Sequence, residues 1–190
     1  MTLAKVHSCA IQGIRGIPLE VEVDITDGLP GFEIIGLPDA AVREAKERVR
    51  AAIRNSGFNI PLARITVNLA PADLKKEGSS FDLAIAVGLL IATGQIPSEN
   101  IKSNSVFIGE VSLDGNVRGI HGALAMALSL AEQSDEYQLF LPVENSIEAS
   151  LVNNINVRGV SDLEQLIRYF SGKTDLPANK TKIDDLINLS

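Results

Sequence analysis

Hydrophobic and polar positions change period along this chain. Between Ile17 and Thr26 they alternate, with Leu19, Val21, Val23 and Ile25 on one side and Glu20, Glu22 and Asp24 on the other. That is the pattern of a strand with one face in water. Leu3 to Gly13 is also rich in strand formers, and Gly13-Ile14-Arg15-Gly16 supplies a turn, so a hairpin is predicted. A third strand is predicted from Phe32 to Leu37. The period then lengthens: Val42, Ala45, Val49, Ala52 and Ile53 recur at helical spacing and predict a helix from Asp39 to Ser56. Pro38 and Asp39 suit its start and Gly57 its end. Glu44 and Arg48, four apart, form a favourable pair on it.

Arg64 to Leu69 is the next predicted strand. Phe81 to Thr93 is apolar on all sides, which predicts a central, buried helix. Ser105 to Leu113 reads as one strand, Asp114-Gly115 as a turn and Asn116 to Ile120 as a short return strand. Helices follow at Gly122–Gln133, Glu144–Leu151 and Asp162–Phe170, with strands at Tyr137–Leu141 and Asn154–Val160. A run of strands that later mixes with helices predicts an α+β fold, a two-layer α/β sandwich rather than a doubly wound sheet. Residues 1–171 are expected to form one domain. Residues 172–190 are polar and read as a linker, with a short helix near Ile183 to Leu189.

Composition narrows the picture. Of 190 residues, 45% are apolar and Trp is absent, so a core large enough for one domain must be mainly aliphatic. A single cysteine, Cys9, excludes an internal disulfide and reads as a small core residue. His7 reads as a structural histidine. One Cys and two distant His, His7 and His121, argue against zinc. The N-terminus lacks the apolar stretch of a signal peptide. The longest apolar run, Leu83 to Ala92, is shorter than the roughly 20 residues a membrane helix needs. A cytoplasmic protein without a membrane partner is expected. The net charge of −7 lies wholly after residue 80: residues 1–80 hold 10 basic and 10 acidic side chains, residues 81–190 hold 7 and 14. Such acidity disfavours general nucleic-acid binding but leaves room for a local basic face.

Two stretches look like chemistry. Gly172-Lys173-Thr174 copies the end of a phosphate-binding loop, but the glycine required five positions earlier is Ile167, so no P-loop is expected and no cofactor in this chain. Glu77-Gly78-Ser79-Ser80 opens the apolar helix. Ser79 three residues before Asp82 would make a capping box. Alternatively, Ser80 could be a nucleophile at a helix N-terminus whose amides form an oxyanion hole. A serine hydroxyl then needs a base.

Residues 77–145 resemble the Lon-type peptidase domain. Glu77-Gly78-Ser79-Ser80 falls where that family has Asp-Gly-Pro-Ser, which puts Ser80 at the nucleophile. Thr93-Gly94, Gly109-Glu110, Leu113, Gly115, Val117, Ile120 to Gly122, Leu141-Pro142 and Glu144-Asn145 follow its course. That family uses a Ser-Lys dyad. The lysine position falls on Met126, and no lysine occurs between Lys102 and Lys173. Ser80 and Met126 therefore read as vestigial positions, with no catalytic residue expected. A Lon-like serine peptidase using Ser80 with a non-standard base, Lys75 or Lys76, is the alternative.

A closer resemblance covers residues 3 to about 170. Gly28-Leu29-Pro30, Ile35-Gly36-Leu37-Pro38-Asp39, Val42-Arg43-Glu44 and Arg48-Val49-Arg50-Ala51-Ala52-Ile53 carry its first part. Asn55-Ser56-Gly57-Phe58, Asn68-Leu69-Ala70-Pro71-Ala72-Asp73-Leu74, Lys76-Glu77-Gly78 and Phe81-Asp82-Leu83 complete it. These are similar to the N-terminal domain of the ComM/YifB family of magnesium-chelatase-related AAA+ ATPases. One departure is Gly119, where relatives often have Pro. The resemblance implies a ribosomal-protein-S5-domain-2-like fold, shared with Lon, and an AAA+ module outside these 190 residues that would carry ATP and Mg. It implies a ring-forming DNA motor in natural transformation, with the AAA+ module and neighbouring subunits of a hexamer as partners. On the helix at 39–56, Arg43, Lys46, Arg50 and Arg54 are candidate contacts to DNA or to a subunit, with Glu47 among them. No aromatic residue interleaves with them in sequence, which disfavours base stacking.

Overall fold

The computed structural model describes residues 2–181. The predicted hairpin forms: β1 (Thr2–Gln12) and β2 (Arg15–Thr26) pair antiparallel around a two-residue turn, Gly13-Ile14. Leu19, Val21 and Val23 of β2 are buried, and on the opposite face Lys5 pairs with Glu20 and Glu22 at 3.1 and 3.0 Å. β3 (Gly31–Ile35) leads into α1 (Ala40–Asn55), and β4 (Arg64–Ala70) precedes α2 (Asp82–Ala92). Then come β5 (Ser105–Phe107), β6 (Glu110–Val111), β7 (Val117–Arg118), α3 (Ala123–Gln133), β8 (Gln138–Pro142), α4 (Val143–Ser150), β9 (Asn156–Val160) and α5 (Leu163–Phe170).

Seven strands make one mixed sheet in the order β3-β4-β2-β1-β5-β8-β9. β4, β2 and β1 run antiparallel to their neighbours among themselves, while β3 with β4 and β1-β5-β8-β9 are parallel. The main core lies between the sheet and α1, α2 and α5, which gives the two-layer α/β sandwich expected for an α+β chain. A second, smaller core holds Cys9, Met126, Leu139 and Leu141 behind the parallel half of the sheet, under α3 and α4. α2 is buried along nearly its whole length, as its all-round apolar sequence requires. It comes down on the sheet at Gly88, where a Cβ would stand 2.7 Å from Val23 Cγ2. α3 crosses the start of β2 at Gly16, where a Cβ would stand 2.8 Å from Met126 Cα.

One predicted element is corrected. Ser105 to Leu113 is two strands rather than one: β5 stays in the main sheet, and β6 leaves it to pair with β7. The break is at Gly109, at φ +157. Its N–H donates to the Ser80 carbonyl at 2.8 Å, and its carbonyl accepts from the Leu83 N–H at 3.0 Å. Those bonds tie the chain to the loop before α2, so it cannot continue alongside β8.

After α5 the chain returns along the outer edge of β9. Leu176 is buried, Asn179 donates its N–H to Val157 at 2.7 Å, and the Asn179 side chain accepts from Gly159 at 2.9 Å. This covers a sheet edge that would otherwise present unpaired backbone groups. The helix predicted near Ile183 to Leu189 lies outside the described residues. No helix among the described residues is long and apolar enough to cross a membrane.

The turn from β3 into α1 leaves no room for a side chain at Gly36, which has φ +99 and where a Cβ would fall 2.2 Å from the Leu69 carbonyl oxygen. Gly36→Ala should lower stability by about 3 kcal/mol or more, from backbone strain and overpacking together. Urea denaturation checks it; a midpoint unchanged from wild type would contradict the close approach.

Candidate functional site

Loop 77–80 lies where α2 begins, and the structure does not give it the predicted capping box. Asp82 turns away from Ser79 and is fully buried against α1. Arg48 donates to it twice, from Nε at 2.7 Å and Nη2 at 3.0 Å, and the Val111 N–H donates to it at 3.2 Å. Arg48 also donates to the Ala41 carbonyl at 2.9 Å. Burial pushes the Asp82 carboxyl up to about 6 against the pull of Arg48 and of Val111. Asp82 in turn holds the Arg48 guanidinium above its ordinary value. Ser79 donates its hydroxyl to Glu110 of β6 instead, and Glu110 also faces Arg118 at 3.8 Å. A capping box is a local device; a buried arginine supplied by another helix holds a carboxylate far more strongly.

Ser80 and Met126 both line one cleft of about 460 Å³, with Ile11, Glu110, His121 and Gly122 among its other walls. Neither Lys75 nor Lys76 is among the lining residues. Lys75 pairs with Glu77 at 2.9 Å on the surface. Lys76 is fully buried and donates its ammonium to the carbonyls of Gly36, at 2.7 Å, and Pro71. Its backbone bonds Leu37 and Asp39 at 3.0 and 2.9 Å. Burial lowers its proton affinity, but its two carbonyl partners need the donor protons, so its role is to lock the turn from β3 to α1 onto the loop before α2.

Two amides at the helix start are already taken. The Asp82 N–H is bonded to the Ser79 carbonyl at 3.2 Å and the Leu83 N–H to that of Gly109 at 3.0 Å. Cys9 is buried behind α3, and its thiol is pushed up to about 12, so it supplies no nucleophile. His121 and Glu110 are cleft residues that sequence reasoning did not single out as chemistry. Their only signal was their place in the Gly109-Glu110 and Ile120 to Gly122 segments, because nothing local connects them to Ser80.

The basic residues of α1 divide. Lys46, Arg50 and Arg54 line a second groove, of about 580 Å³, between α1 and the segment 58–63. Arg43 does not line it; its Nη1 donates to the Pro38 carbonyl at 2.9 Å. Glu47 is also in the groove, 3.9 Å from Arg50. The fold brings in aromatic rings that the α1 sequence lacks, Phe32 and Phe58. The Arg50 guanidinium sits 5.6 Å from the centre of the Phe32 ring, which is buried beneath it and so closed to a nucleobase. Among the described residues, Lys46 and Arg54 have no ion-pair partner. Leu62, which lines the groove, and Leu29, next in sequence to the lining residue Pro30, are 91% and 89% exposed, and the segments that carry them are bonded through the Gly31 N–H and Ala63 carbonyl at 3.2 Å.

Comparison with known proteins adds a family to this geometry. Residues 21–145 match the family described as subunit ChlI of Mg-chelatase. The chain is 44% identical over 184 residues, 97% of its length, to an uncharacterized protein of Mycobacterium tuberculosis, of which it covers 36%. It is 40% identical over 191 residues to the competence protein ComM of Haemophilus influenzae, matching 100% of this chain and 37% of that one. It is 38% identical over 180 residues to the uncharacterized protein YifB of Escherichia coli, matching 95% and 35%. A more distant similarity, 26% over 171 residues, is to the Lon protease of Mycolicibacterium smegmatis, matching 83% of this chain and 21% of that one. The chain thus spans about a third of the length of these three relatives, the Mycobacterium tuberculosis protein, ComM and YifB.

Removing Asp82 would leave Arg48 without its partner, so Asp82→Ala should cost about 3–5 kcal/mol of stability. The pH dependence has a definite sign. Asp82 binds its proton more tightly in the fold, with a value of about 6, than an ordinary Asp does at about 3.9. Its contribution is therefore fully present below about pH 4 and is lost as pH rises through about 6. Thermal unfolding of wild type and Asp82→Asn from pH 3.5 to 7 checks this: the variant should lose that part of the slope.

Proposed function

Because the chain belongs to the ChlI family of magnesium-chelatase-related proteins, with relatives named ComM and YifB, we propose that it is a non-catalytic accessory domain of an AAA+ ATPase. Its task is to help assemble the parent's ring or to guide DNA to it. The observation that carries this reading is the cleft, whose lining holds Ser80 and Met126 and no lysine. A thioether cannot take the proton that a serine nucleophile must lose. The sequence also lacks a phosphate-binding loop, so ATP and Mg belong to a module outside this chain. The Haemophilus relative is named a competence protein, which fits a parent acting in natural transformation; that this parent is a DNA motor is part of the same proposal. The groove with Lys46, Arg50 and Arg54 is the surface best suited to DNA or a neighbouring subunit, since each phosphate or carboxylate met there would be paired with a cation.

A second reading, a serine hydrolase, has one observation in its favour: His121 shares the cleft with Ser80 and could act as a base. Against it stand the Asp82 and Leu83 amides, both already bonded to carbonyls.

The two readings separate experimentally. The purified chain should hydrolyse no ATP above a buffer control and should not be labelled by a fluorophosphonate probe. Labelling that is lost in both Ser80→Ala and His121→Ala would establish the hydrolase and overturn the accessory reading.

A further inference from the structure

The groove on α1 combines two chemistries. Its wall carries the cations Lys46, Arg50 and Arg54, and two leucines, Leu62 of its lining and Leu29 next to the lining residue Pro30, are almost wholly in water. An occupant that satisfies both has carboxylates flanked by aliphatic side chains. This chain contains such a stretch: Ile183-Asp184-Asp185-Leu186-Ile187. Two adjacent acids with branched aliphatic residues on either side match a basic groove with exposed leucines beside it.

The segment cannot reach the groove of its own molecule. Thr181 is held at the far side of the fold, where its hydroxyl accepts from Ser150 at the end of α4 at 2.6 Å, two residues after Asn179 binds the β9 edge. The groove lies at the opposite edge, beside β3. Six inter-strand steps separate β9 from β3, roughly 29 Å at about 4.8 Å each. Asp184 and Asp185 follow Thr181 by three and four residues, a reach of at most about 14 Å.

We propose that Ile183 to Ile187 of one copy occupies the α1 groove of the next, with Asp184 and Asp185 against Lys46, Arg50 and Arg54. This names the partner of the contact surface proposed above and rests on that reading. The two contacting surfaces differ, so the contact is head to tail and each copy keeps one groove and one acidic segment to offer. Charge is complementary in the same sense as the whole chain, whose entire net charge of −7 lies beyond residue 80.

Sedimentation velocity on the full 190-residue chain tests this. The average mass should rise above the 20.3 kDa of one chain as concentration increases, and should fall back with added salt. Arg50→Glu with Arg54→Glu should run as a monomer, and so should Asp184→Lys with Asp185→Lys. Because Arg50 stacks on Phe32, Lys46→Glu with Arg54→Glu is the matched variant that leaves the stack in place. The decisive sample is a mixture of a groove variant with the segment variant. Each retains the half the other has lost, so the mixture should form a 1:1 dimer and nothing larger. A monomeric wild type at all concentrations, variants that still associate, or a mixture that stays monomeric overturns the proposal. Groove variants that lose binding to short DNA while the mass is unchanged also overturn it, and leave the accessory-domain reading standing.

Discussion

The buried carboxylate of Asp82 is the interaction on which the arrangement around α2 depends. It sits at the start of a helix whose other side chains are almost all apolar and enclosed. A charge there is tolerable only with partners, and the partners come from two other elements: the guanidinium of Arg48 on α1 and the amide of Val111 on β6. Three elements distant in sequence are thereby held in one geometry. Gly109 adds two backbone bonds between the same loop and β5–β6. Lys76 performs a similar service on the other side, joining the turn before α1 to the loop before α2 through carbonyl oxygens.

These restraints shape the cleft. Ser80 lies in it because α2 is anchored by Asp82 and because Gly109 binds the Ser80 carbonyl. Met126 lies in it because α3 can approach β2 closely at Gly16. The same bonds that fix the loop occupy the Asp82 and Leu83 amides. The residues that hold the loop in place, Lys76, Asp82 and Gly109, are not among those that line the cleft.

The groove on α1 has a different origin. Lys46, Arg50 and Arg54 recur every four residues, which puts them on one side of the helix. Arg43 belongs to the same helix but is used near its start, against the Pro38 carbonyl. What turns a basic helix face into a groove is the packing of β3 and the segment 58–63 beside it, with Phe32 under Arg50 and Leu62 in the lining.

Periodicity alone was enough for most elements. The alternation in β2, the helical stripe of α1 and the unbroken apolar run of α2 each leave a face, or a whole surface, that only burial can satisfy, and such signals are written locally. The long motif from Gly28 to Leu83 likewise marked the family. The split of the predicted strand at Gly109, the abandonment of the Ser79–Asp82 cap, the sealing of Lys76, the sharing of one cleft by Ser80, His121 and Glu110, and the aromatic floor under Arg50 were not legible. Each is decided by a partner that lies tens of residues away, and a residue's sequence neighbours carry no record of which distant donor or ring will be packed against it. The sequence by itself determined which surfaces had to be buried; the tertiary structure decided which polar groups would meet once they were, because buried charges and backbone groups take whatever partners the packing of the apolar faces brings within reach.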